Sequence, residues 1–402
     1  MLSNPASSCS LVLACCAAMA VLTPLYGAQG QQTYKVLYSF QGGNLDGENP
    51  LAELLSDGAG NLYGTTQGGG NTGGGTVFKL SPDGSESILY SFGAGGSSPL
   101  AGLIADANGN FYGTTFSGGK KCGTGCGVVY KFAPDGSKTV LHAFVGKLDG
   151  KFPRGRLVFD SDGNLFGTTS EGGNGCPRNH DGCGTVFKIA PDGTETILHA
   201  FKGGSDGSAP SGALILDDAG NLYGTTDTTV FRLMQDGTET VLHKFTGGVT
   251  DGLGPIGSLL SDSDGNLFGV TEGGGTGCNG SGCGTVFKIT AQGDESIVYS
   301  FQGGNDGSEP MAGLFRAANG NLYGTTLAGG GSGCQANAGC GTVFVVTPDG
   351  AETVLHTFAE KKDGRSPLAA LVSWRHGYLV GTTHAGGTHR RVAGTVFEVL
   401  PQ

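Results

Sequence analysis

Seven copies of one short unit, the lack of any long helical period, and chain ends that complement each other predict an all-β protein. The predicted architecture is a seven-bladed β-propeller of four-stranded blades, closed by an N-terminal strand that completes the last blade. The unit is GNLYGTT at residues 60–66. It recurs at 109–115 (GNFYGTT), 163–169 (GNLFGTT), 220–226 (GNLYGTT), 265–271 (GNLFGVT), 320–326 (GNLYGTT) and 377–383 (GYLVGTT). With a period of about 52 residues, the 402-residue chain reads as one repetitive body rather than two or three ordinary domains.

Four strand signals fill each period. In the second repeat the first strand is expected over residues 99–106, opened by a proline that cannot sit in a central strand. A turn at Ala107, Asn108 and Gly109 leads to the second strand, 110–115. A glycine-rich excursion over 117–127 precedes the third strand, 128–132. The fourth, 138–144, alternates with Val140, His142 and Phe144 on one face and Leu141 on the other. Third strands elsewhere carry Thr-Val-Phe at 76–78, 185–187, 229–231, 285–287, 342–344 and 395–397. Fourth strands end on Phe40, Phe92, Phe144, Phe201, Phe245, Phe301 and Phe358. The first element, 34–40, is of fourth-strand type with no preceding three, while the last repeat stops after its third strand at residue 400. Each terminus lacks what the other supplies, so residues 34–40 are expected to form the outer strand of the seventh blade and leave no open sheet edge.

Composition narrows the class. There are 79 glycines without a Gly-X-Y register, and 37% of residues are apolar, which disfavours collagen and disorder and leaves enough for a core. A net charge of −11 with no Lys/Arg cluster argues against nucleic acid and against polyanions in general. Residues 1–28 have no Asp, Glu, Lys or Arg and read as a signal peptide cut near Ala28, leaving 29–402 as a single propeller domain. An uncleaved anchor and a lipoprotein box at residues 13–16 are the competing readings of this segment. Eight of the eleven cysteines fall into close pairs, Cys122/Cys126, Cys176/Cys183, Cys278/Cys283 and Cys334/Cys340, as disulfides of an exported chain do. Four-thiolate zinc is the rival reading, disfavoured because no pair has CxxC spacing.

The set LYSF, DG..P..L, D..GNLYGTT, GG...GTVFK and PDG resembles the GloVer-type tandem repeat of bacterial exported proteins. More distantly, D..GN.Y is similar to NHL and related propeller repeats. The resemblance covers residues 34–400 and implies an exported, propeller-like protein, with no activity to carry over. No anchor or sorting segment is read after Leu400.

Loops joining fourth to first strands and second to third strands should share a face. That face carries Asp46, Asp149, Asp206, Asp251, Asp306 and Asp363, each before a glycine, with residues 95–97 as the exception. A carboxylate ring near a central channel would attract cations or sugar hydroxyls; turn chemistry before the next proline is the plainer account. The same face holds the cysteine-bearing loops. Blade four leaves almost no such loop (residues 226–229), so a lowered rim and a ligand cleft are expected there. Asp160, Asp162 and Asn164, and Asp262, Asp264 and Asn266, echo a calcium loop but lack its downstream Glu, so hairpin turns explain them and no cofactor is assigned, calcium being the ion to weigh. His142, His199, His243 and His356 stand where other blades have tyrosine. His384, His389, Arg390 and Arg391 make a local basic spot. No catalytic motif is present. The resulting expectation is a secreted, monomeric, non-catalytic binding or structural propeller for glycan or cell-surface polymer, without a membrane or nucleic-acid partner. The alternatives are a polysaccharide hydrolase or lyase using the loop aspartates, and an envelope protein-interaction platform.

Overall fold

Every blade is one antiparallel sheet whose strands lie side by side from first to fourth, in chain order in all but the seventh. In blade 1 these are Leu55–Ser56, Leu62–Thr66, Thr76–Leu80 and Glu86–Ser91. Blade 4 has Ile215–Leu216, Leu222–Thr225, Thr229–Leu233 and Glu239–Lys244. In blade 7, Val372–Ser373, Leu379–Thr383 and Thr395–Val399 are joined by Tyr34–Ser39 as the fourth strand. The structure is a computed structural model. It describes residues 33–401 except 120, 121, 124, 175, 177–180, 332, 333, 335–338, 361 and 390–392. The signal-peptide reading and Arg390 and Arg391 lie outside the described residues.

The repeat motif has a steric cause. The third-strand phenylalanine lies flat over the second strand, so a Cβ on Gly64 would stand 2.6 Å from the Phe78 ring. Gly167, Gly224, Gly269, Gly324 and Gly381 face the equivalent phenylalanines just as closely. The two threonines that follow are buried, and Thr66 and Thr76 share a hydroxyl–hydroxyl bond of 2.7 Å, repeated at Thr169/Thr185, Thr226/Thr229, Thr271/Thr285, Thr326/Thr342 and Thr383/Thr395. Buried hydroxyls are cheap to hold only when they have such partners.

Between blades the contact is aromatic. The phenylalanine ending each fourth strand meets the third-strand ring of the next blade: Phe40–Phe78, Phe92–Tyr130, Phe144–Phe187, Phe201–Phe231, Phe245–Phe287, Phe301–Phe344 and Phe358–Phe397. All seven pairs have centroids 4.9–5.2 Å apart. The closing strand takes part like any other. Tyr34–Ser39 pairs with Thr395–Val399, Phe40 N–H donates to Gly394 O at 3.0 Å and Leu400 N–H to Thr33 O at 2.8 Å. Trp374 Nε1 adds a 2.9 Å bond from blade 7 to Gly60 O of blade 1.

Two expectations need correction. The first strand is not paired over 99–106; only Ile104–Ala105 is, and comparable two-residue pairings hold in five other blades, blade 5 alone keeping a long Gly252–Ser261 strand. The proline supplies no donor, and the residue before it is left-handed, as at Ser98 (φ 55) and Ser366 (φ 55); Gly254 (φ 66) precedes Pro255 in the same way inside the long blade 5 strand. Alternation along the fourth strand also fails. A β-bulge lets Val129 face His142 and Tyr130 face Val140, skipping Leu141, which turns into the core while Val140 is left 44% exposed. All seven fourth strands bulge at this register.

If the terminal strand is as integral as an internal one, Phe40→Ala should cost as much as Phe201→Ala. Both should lose about 3–5 kcal/mol in denaturant unfolding. A loss at Phe40 well below that at Phe201 would show a loosely held first strand.

Candidate functional site

The loop face forms as expected. Residues 47–48 pair with 68–69, Ser97 with Ser117, Lys151 with Glu171, Ser308 with Ala328 and Arg365 with Ala385, so the fourth-to-first and second-to-third connections lie side by side. The four disulfides, Cys122–Cys126, Cys176–Cys183, Cys278–Cys283 and Cys334–Cys340, close loops on this face. The second cysteine of each passes its carbonyl to the next blade, as where Phe152 N–H donates to Cys126 O and Ala209 N–H to Cys183 O, both at 2.8 Å.

The six loop aspartates sit beside the outermost strands, and none lines the channel. Each accepts a loop amide: Asp46 from Gln41, Asp149 from Val145, Asp206 from Lys202, Asp251 from Thr246, Asp306 from Gln302 and Asp363 from Ala359, at 2.5–2.9 Å. Each also meets the tip of a fourth-strand side chain. Those partners are Tyr38, His142, His199, His243, Tyr299 and His356, at 2.8–3.2 Å. The tyrosine and histidine of the repeat are therefore interchangeable partners for one carboxylate, and any ligand of these aspartates must compete with both contacts.

The sequence reading missed a third member of each seam. The fourth strand of the following blade brings Glu195 to His142 and Asp149, Glu239 to His199 and Asp206, and Glu295 to His243 and Asp251, with ligand-capable atoms within 4.8 Å in each group. Glu86 and Glu352 approach Asp46 and Asp306 likewise. In all five glutamates Oε1 is out of water without a hydrogen-bond partner. Burial first, then the neighbouring aspartate, pushes Glu86 and Glu239 up to about 7 and Glu352 up to about 8. Where the aspartate is missing, the same position is Lys138, whose ammonium reaches Gly95 O at 3.2 Å and lies over Tyr90. At the closing seam it is Tyr34, stacked on His356 at 3.5 Å. The paired loss of Asp and Glu was the signal in the sequence.

On the opposite face, the calcium-like stretches are hairpin turns. Asp160 accepts from the amides of Asp162 and Asn164, and Asp262 from those of Asp264 and Asn266. Asp57, Asp106 and Asp217 do the same in other blades.

Beside a concavity of about 770 Å³ between blades 1 and 2, lined by Asp57, Tyr63, Lys79, Phe111 and Phe132 among others, two more remain. The axial channel, about 320 Å³, is lined by three consecutive first-strand residues from every blade. It is crossed by an Arg156–Glu53 ion pair between blades 3 and 1. The larger concavity is a cleft of about 1040 Å³ on the loop face between blades 3 and 4, where the short 226–229 loop lowers the rim. Arg154, Lys202, Lys244, Glu171, Asp227 and Ser211 contribute its polar lining, and Cys176–Cys183 staples one wall. Asp227 takes the place of the lost loop pairing, accepting from Ser208 N–H at 2.9 Å and from its hydroxyl at 2.6 Å.

The Gloeobacter/Verrucomicrobia repeat matches residues 25–229 and 227–402, which together span the propeller. The chain belongs to this family. No curated protein matches this repeat protein in sequence. Among solved structures, a streptogramin B lyase is similar over 91% of this chain and 97% of its own, at 14% identity and a TM-score of 0.59. The extracellular domain of a hybrid two-component system from B. thetaiotaomicron is similar over 89% of this chain and 40% of its own, at 11% identity and a TM-score of 0.56. At such identities the likeness is one of fold. No helix among the described residues is long and apolar enough to cross a membrane.

The seam glutamates give the repeat protein a pH dependence of definite sign. A carboxyl whose folded pKa lies above its unfolded value of 4.5 stabilises fully below 4.5 and loses that contribution as pH rises through about 7–8. The melting temperature should therefore be higher at pH 5 than at pH 9. The triple variant Glu86→Gln, Glu239→Gln, Glu352→Gln, which mimics the protonated form, should flatten that slope; an unchanged slope would assign it to other groups.

Proposed function

We propose that this repeat protein is an exported binding propeller that engages a glycan or cell-surface polymer through the cleft between blades 3 and 4. The observation that carries this reading is the coincidence of the one shortened second-to-third loop with the cleft between blades 3 and 4. A cleft of about 1040 Å³ lined by hydroxyls, backbone glycines and charged side chains suits a polar, multiply hydrogen-bonding ligand better than an apolar one. The Cys176–Cys183 disulfide fastens one side of the cleft. Four disulfides agree with an oxidising destination.

A hydrolase or lyase reading requires one carboxylate pair set apart from the rest and facing a cleft. Glutamate–aspartate pairs with a raised glutamate pKa do exist, but they recur at five seams along the outer strands, as packing features do. The aspartates are accordingly assigned to loop architecture in this reading, and the envelope-platform alternative shares the same cleft with a protein in place of the polymer.

Replacing Asp227 and Thr228 by the eight-residue blade 1 loop, 67–74, rebuilds the rim. With residues 29–402 titrated against a panel of polysaccharides, the rebuilt protein should bind its best ligand roughly tenfold or more weakly at an unchanged melting temperature. Equal affinity in the two proteins, or no retention of any polysaccharide by the unaltered one, would remove the cleft from the function.

A further inference from the structure

The cations of this acidic chain are placed unevenly. Three positions of the repeat show it independently. The residue after the first-strand proline is Leu51, Leu100, Ile256, Met311 or Leu368 in five blades, and departs only at Arg154 and Ser211. The residue after the fourth-strand phenylalanine is Gln41, Gly93, Val145, Thr246, Gln302 or Ala359, with Lys202 as the exception. The residue before that phenylalanine is Ser or Thr or Ala in six blades, and Lys244 in one. All four exceptions line the single cleft between blades 3 and 4. Random drift of a repeat would scatter them around the ring.

Resting on the binding reading above, we infer that the cleft takes an acidic glycan, a polymer whose sugars carry carboxylate or sulfate groups recognised by Arg154 and Lys202 and supported by Lys244. The carboxylates that share the cleft are already engaged. Glu171 is bridged to Lys151 at 2.7 Å, and Asp227 accepts from Ser208 and Thr228. Among the described residues, neither Arg154 nor Lys202 has an acidic partner. Arg154 is held over the Phe116 ring, 4.8 Å from its centroid, and Phe116 is in turn stacked on Phe152 at 4.6 Å. That stack orients the guanidinium fork while its edge stays free for a planar carboxylate or a sulfate. Lys244 is fixed by a 3.0 Å bond to Gly204 O. The hydroxyls of Ser211 and Thr228 stand in the same lining to meet sugar hydroxyls.

The whole-chain charge of −11 pointed away from polyanions, and the placement of the cations overrides it here. At physiological salt, charges farther apart than about 8 Å are largely screened, so the groups inside the cleft decide what enters it.

The test is a binding titration of residues 29–402 against three probes: polygalacturonate, dextran sulfate and neutral dextran. The double variant Arg154→Gln, Lys202→Gln is compared with Lys35→Gln, Lys288→Gln, which removes the same charge elsewhere. The expected result is binding of at least one acidic probe in preference to dextran, weakened by about tenfold or more in the cleft variant and by little in the control. Preference for polygalacturonate assigns a carboxylate ligand; preference for dextran sulfate assigns a sulfate. Equal weakening in both variants overturns the inference by reducing it to net charge, and so does failure to bind either acidic probe. Dextran bound as tightly as the acidic probes, and undiminished in the cleft variant, overturns the acidic ligand while leaving a glycan-binding propeller in place.

Discussion

An aromatic contact between neighbouring blades, phenylalanine on phenylalanine at six seams and Phe92 on Tyr130 at the other, is the interaction the ring is built from. Seven such pairs, nearly identical in separation, join the outer strand of one blade to the third strand of the next. Aromatic pairs of this kind contribute about 0.5–1.5 kcal/mol beyond their buried area. Their larger consequence is geometric. Each third-strand ring needs a flat bed, which forces glycine at the centre of GNLYGTT, and the surrounding polar backbone and threonine hydroxyls must then satisfy one another. Because the contact is circular, the first strand of the chain and the last must meet in the same sheet, and the Phe40–Phe78 and Phe358–Phe397 pairs flank that join.

Much of this was legible in the sequence because repetition averages out local ambiguity. The second and third strands, the shared loop face, the four disulfides and the closing role of residues 34–39 all followed from spacing. The bulge at Leu141 and its six counterparts was not legible, since a period-two pattern carries no mark of an inserted residue until the partner strand is known. Nor was the shortness of the first strand, since an apolar run opened by proline reads the same in blade 2, which pairs only Ile104–Ala105, as in blade 5, which pairs over Gly252–Ser261.

The functional surface divides along the same line. At six seams Asp46 or a counterpart gathers a loop amide and a tyrosine or histidine tip, and at five of these a glutamate arrives from the next blade. A group repeated at most seams reports on the ring. Arg154, Lys202 and Lys244 instead depart from the repeat together, around the shortened loop of blade 4.

Ring closure is the claim on which the shared loop face and the cleft both rest, and native-state hydrogen exchange tests it most directly. The amides of Tyr34–Ser39 that pair with Thr395–Val399 should be protected as strongly as those of the internal fourth strand Glu86–Ser91. In Phe40→Ala the protection of 34–39 and 395–399 should fall together. Residues 34–39 exchanging as a free chain while 395–399 stay protected would contradict the account.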